Sequence, residues 1–184
     1  ARLVAETLAE GTAKRTPEEL EDAFGQYGAV VSTSAGADDL TIRAKCLAKD
    51  LPAVWSLVQE MLVEPRLDPA EFERLKTEAL TAIASREGSP GSLTSLALSR
   101  ALYGPDHPYG RSSLGTEASV SSLTLKDAKK WVKQNLRAPR VRVQFAGAVD
   151  AETAAALAAP LADALKPKAR PIPALPDPVS VDPQ

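Results

Sequence analysis

The chain has 184 residues, a formal net charge of -2, 44% hydrophobic and 25% charged residues, the balance of one ordinary domain that buries a core without disulfides or metals. Lys and Arg are interspersed with Asp and Glu, which argues against a nucleic-acid or anionic-membrane binder. No run reaches the about eighteen apolar residues of a membrane span, and a lone cysteine, Cys46, excludes an internal disulfide.

Leu3, Val4, Thr7 and Leu8 have the spacing of a helix stopped by Gly11. Neither an initiator Met nor a basic-then-apolar signal segment precedes them. The expectation is a piece of a longer precursor lacking its N-terminal strands: a soluble, bacterial-type chain whose compartment, periplasm or cytoplasm, is not legible. Thr16-Pro17-Glu18-Glu19 then sets Thr at an N-cap, Pro at the first helical position and Glu three residues on. That capping box predicts a helix from Pro17 to Tyr27, ended by Gly28.

Residues 29–34 and 40–47 read as strands joined by Gly36-Ala37-Asp38-Asp39, with Leu40, Ile42, Ala44 and Cys46 alternating against Thr41, Arg43 and Lys45. Cys46 in that pattern is a small buried hydrophobe. Leu51, Val54, Trp55, Val58, Met61 and Leu62 mark an amphipathic helix. Asp68-Pro69-Ala70-Glu71 starts a long one reaching Arg86, and Pro90 another as far as Leu102.

Residues 106–116 read as a loop. Thr124 caps a helix to Leu136, with Leu125, Ala128, Val132 and Leu136 inward and Lys126, Lys129, Lys130 and Lys133 on its solvated side. Residues 140–145 alternate as a strand, and Asp150 starts an alanine-rich helix ending near Lys166. From Pro167 to Gln184 proline recurs too often for a helix or strand interior. The expected organisation is an α+β domain over residues 1–166, a mainly antiparallel sheet with helices on one face, then a Pro-rich linker over 167–184 toward an absent second domain.

Two stretches carry a resemblance. ARLVAETLAEGTAKRT at the start and EFERLKTEALTAIASREGSP downstream, with the YGPDHPYGRSSLGT loop between Tyr103 and Thr116, resemble the first domain of the pitrilysin/insulinase family of inverted-motif zinc peptidases, which includes mitochondrial processing peptidase. In that family His-x-x-Glu-His puts two zinc-binding His on one helix face, the Glu activates a water, and a further Glu comes from a later helix. Aligning on Gly11-Thr12 puts Arg2 and Glu6 at the two His positions, Ala5 at the general-base position, and Thr81 or Ala82 at the third ligand position.

The resemblance therefore implies a metal-less subunit, with no catalytic, cofactor-binding or metal-ligating residue of its own. Zinc would sit only in a partner. The implied role is a non-catalytic half that pairs with a zinc-bearing homologue, or self-associates, and helps bind peptide substrate. The alternative is a core-like scaffold subunit with no part in proteolysis; an active hydrolase with unorthodox ligands ranks last.

Each remaining candidate has a plainer reading. Glu6 reads as a solvated carboxylate, and the lone His107 as a loop cap or partner contact without the three ligands zinc needs. Asp38 and Asp39 satisfy turn amides. Ser112, Ser113, Ser119, Ser121 and Ser122 have no His or Lys in a nucleophile motif.

Overall fold

The computed structural model describes residues 1–177. Its first helix, α1 (Arg2–Leu8), is short but central: Leu3, Val4 and Leu8 join Phe72, Leu75 and Ala128 in one buried cluster. A side chain such as Phe72, 1% exposed, contributes about 1.5–3 kcal/mol by leaving water.

The second helix, α2 (Pro17–Gly25), starts as its sequence dictates. Thr16 accepts from the Glu19 N–H while the Glu19 carboxylate accepts from the Thr16 N–H. Its regular part ends two residues before Tyr27, because the chain closes in a Schellman turn: Gly28 N–H donates to Gly25 O and Ala29 N–H to Phe24 O. Gly28 takes φ +56°, a left-handed conformation that Gly adopts without strain.

β1 (Val30–Ala35) and β2 (Leu40–Lys45) form an antiparallel hairpin in the register Val30↔Lys45 to Ala35↔Leu40. Val31, Ile42 and the partly buried Cys46 face a second cluster built on Leu20, Phe24, Val54, Leu57, Val58 and Met61. Most of the latter lie on α3 (Leu51–Val63), at the spacing expected of an amphipathic helix. Burial pushes the Cys46 thiol up, so it behaves as a hydrophobe.

α4 (Pro69–Glu87) is capped by Asp68, whose carboxylate accepts from the Ala70 and Glu71 N–H groups and is thereby held below the usual carboxylate range. It packs along α1 and is followed by α5 (Pro90–Tyr103). A short helix not anticipated from sequence, α6 (Glu117–Ser121), lies against α4. Its signal was Thr116-x-x-Ser119, a capping box with Ser in place of the usual Glu. α7 (Leu125–Asn135) and α8 (Ala151–Ala164) follow.

The expected strand at 140–145 is corrected. Residues 141–146 carry neither helix nor strand and alternate in burial, with Val141, Val143 and Phe145 half-buried and Arg142 and Gln144 exposed, but no described strand pairs with them. Alternation reports one-sided burial; a ladder also needs a partner edge. Phe145 instead meets Trp55 edge to face at 5.2 Å, and Trp55 Nε1 donates to Leu157 O, linking this segment, α3 and α8. Among the described residues the sheet is therefore two-stranded, with helices on one side. Residues 166–177 carry neither helix nor strand; the rest of the expected linker lies outside the described residues.

Candidate functional site

The positions that the sequence aligns with a metal site lie on α1 and α4, which pack together as a two-helix ligand set requires. Arg2 and Glu6, four residues apart on α1, pair with each other, Nε donating to Oε1 at 2.9 Å. Ala5 is fully buried and offers no donor atom. On α4, the exposed Thr81 donates its hydroxyl back to Thr77 O at 3.0 Å, and Ala82 is half-buried.

These five residues supply one carboxylate, already engaged by a guanidinium. Arg cannot give up its charge, so a dication at this place would meet a fixed cation. The donor set does not fit zinc. Among the described residues no group of three or more His, Cys, Asp and Glu stands close enough to share an ion.

The other end of α1 is built differently. Gly11 turns at φ +94°, where a Cβ would sit 2.6 Å from Arg15 O, and brings the buried Thr12 over α3. Thr12 Oγ1 donates to Glu60 Oε1 at 2.5 Å and accepts from the Lys14 and Arg15 N–H groups. Arg15 Nη1 closes the knot on the other Glu60 oxygen. Glu60 escaped the sequence reading because it stands mid-helix with no local motif; its partners come from 45 and 48 residues away.

Arg74 makes a second tie between helices. It donates to Glu71, Glu78 and Glu10, each at 2.7 Å, joining the exit of α1 to α4. Its pKa is driven upward by these carboxylates, first by the hydrogen bond to Glu71.

His107 caps its loop, as the sequence suggested. Its Nδ1 accepts from the Tyr109 N–H at 3.1 Å, which puts the ring proton on Nε2, and Nε2 donates to Pro176 O at 3.0 Å. It is 5% exposed and stacks on Tyr103. Asp38, in the hairpin turn, takes a hydrogen bond from the Tyr109 hydroxyl at 2.8 Å, which raises the phenol pKa. Ser112 accepts from Arg86, and Ser119 caps α6; neither is paired with a base.

The sequence profile of the insulinase family, peptidase family M16, matches residues 1–117. The chain belongs to that family. Its relatives include the mitochondrial-processing peptidase subunit beta of Saccharomyces cerevisiae, 25% identical over 77% of this chain and 30% of that protein. An uncharacterized zinc protease of Mycobacterium leprae is 27% identical over 82% of this chain and 34% of that protein. The solved inactive domain of a peptidase M16 from Pseudomonas fluorescens superposes with a TM-score of 0.85 at 25% identity, over 97% of this chain and 43% of that one. The chain thus spans about a third of the length of the curated relatives it matches. Fold and family meet the resemblance read from the first helix and the downstream Glu-rich stretch.

Proposed function

We propose that this M16 chain is a zinc-ligand-less half of a metallopeptidase-family complex, which pairs with a zinc-bearing homologue and helps hold peptide substrate. One observation carries the reading. The first helix keeps its packing against α4, while Arg2, Ala5, Glu6, Thr81 and Ala82 offer a paired carboxylate where three ligands and a base would be needed. The likeness to an inactive M16 domain supports it.

The contribution to substrate binding is surface. β1 lies at the edge of a two-stranded sheet and carries Val30 67% exposed, the kind of edge along which an extended peptide adds a strand. Binding there orients a peptide without chemistry from this chain.

The test is a peptide-cleavage assay on this chain, on a zinc-bearing homologue that co-purifies with it, and on their mixture. Cleavage enhanced in the mixture and abolished by a chelator is the expected result. Equal rates for the mixture and the zinc-bearing subunit alone would instead favour a structural scaffold. Chelator-sensitive cleavage by this chain alone would overturn the reading.

A further inference from the structure

Lys130, Lys133 and Gln134 share one face of α7, and Arg137 follows with extended backbone two residues past the helix end. The chain after α8 crosses that face and adds Lys168 and Arg170, enclosing a cavity of about 330 Å³ with these six residues as its lining. Five of the six are cations. No carboxylate lines the space, and among the described residues none of the five cations lies within 4.0 Å of an acid.

Two simpler explanations fall short. A helix C-terminus favours cations, but its partial charge is only about half an electron, too little for five. A solvated lysine face explains Lys126 and Lys129, which point to water; it does not explain why a second cationic segment is fastened across the first. That fastening is specific. Arg140 Nη2 donates to Arg170 O at 2.7 Å, Arg140 Nη1 to Asn135 Oδ1 at 2.5 Å, and Ala138 N–H to Lys166 O at 3.1 Å. The nearest acid along the helix, Asp127, is committed to Thr124, whose N–H and hydroxyl donate to it at 3.0 and 2.6 Å.

We propose that this cavity binds the carboxylates of an acidic polypeptide segment. The lining has no aromatic side chain on which a nucleobase would stack. Lys130 and Lys133 stand about 4.5 Å apart along α7, and Arg137, Lys168 and Arg170 carry the cations onto the irregular chain around the cavity, a spread that suits alternate side chains of an extended peptide, about 6.6 Å apart, better than one compact anion. Arg137 and Arg170 supply forked donors for carboxylates, and the lysines supply point charges. A peptide with Glu or Asp at every second position places its acids over this face.

The test uses fluorescence anisotropy of a fluorescein-labelled peptide of alternating Glu and Gly, titrated with the chain at low ionic strength. The peptide should bind, and Lys130→Glu with Lys133→Glu should weaken it by about tenfold or more, since like charges then face the ligand. Arg170→Glu, outside any helix, should weaken it too and keeps the test valid where α7 is disturbed. Lys45→Glu with Lys49→Glu makes the same net charge change elsewhere and should leave affinity within about twofold. Equal weakening by both pairs would reduce the effect to net charge and overturn the proposal. Tighter binding of tripolyphosphate than of the peptide at matched ionic strength would also overturn it. The measurement needs no second subunit, so it stands or falls apart from the cleavage assay.

Discussion

The start of α1 and the turn that follows its end both fall within residues 2–15 and are built on opposite terms. At the N-terminal end Arg2 and Glu6 form a half-exposed pair that any solvated helix surface could carry. At the C-terminal end Gly11, Thr12 and Arg15 close on Glu60 through hydrogen bonds that are largely out of water. One end is tied to α3 by buried polar partners; the other is a solvated ion pair on the helix surface. A helix can keep its place in a fold without keeping its chemistry, because packing through Leu3, Val4 and Leu8 is independent of what its polar face displays.

The largest expected effect comes from rebuilding the N-terminal end. Arg2→His, Glu6→His and Thr81→Glu together restore three donors without touching buried Ala5, and should hold zinc at about micromolar Kd or better, near -8 kcal/mol by calorimetry. A parallel variant with Ala82→Glu in place of Thr81→Glu tells which α4 position faces the ion. Absence of binding in both would break the correspondence between these residues and the ligand positions.

Next in size is the contrast in stability. Glu60→Ala leaves Thr12 and a two-thirds-buried Arg15 without their acceptor, and should cost about 2 kcal/mol in urea unfolding. Arg2→Ala breaks an exposed pair and should cost less than about 0.5 kcal/mol. Equal losses would erase the distinction between the two ends.

A smaller loss, about 1 kcal/mol, is expected for Trp55→Phe, which keeps the ring against Phe145 but removes the indole donor to Leu157 O. The smallest effect is on the acid limb. The Asp68 carboxyl has a lowered pKa, from backbone hydrogen bonds at the start of α4. Its contribution is therefore full above the unfolded carboxyl pKa and is lost as pH falls through the lower, folded value. Thermal melts should drop below about pH 4, and Asp68→Asn should flatten that drop slightly.

Much of the fold was legible because its signals are local. The Thr16 and Asp68 caps, the apolar spacing of α3 and the apolar-polar sequence alternation of β2 each need only a few neighbouring residues. The errors have the same origin. Residues 141–146 alternate but have no described partner strand, and pairing is not a local property. α6 is five residues long with a Ser-based capping box, too short to show a period. At the candidate site, the sequence reading took Glu6 as a solvated carboxylate and missed its pair with Arg2, although the spacing of four carries that signal; the Thr12–Glu60–Arg15 knot joins residues far apart in sequence. The lysine face was read as solvent-facing because Lys168 and Arg170 come from a segment with no pattern; only the fold brings them over Lys130 and Lys133.

The central claim is that this M16-family chain carries no zinc of its own. Metal analysis of the purified chain, incubated with excess zinc and freed of loosely held ions by gel filtration, tests it most directly. Zinc at or near background is the predicted result; about one tightly held equivalent per chain would contradict the account.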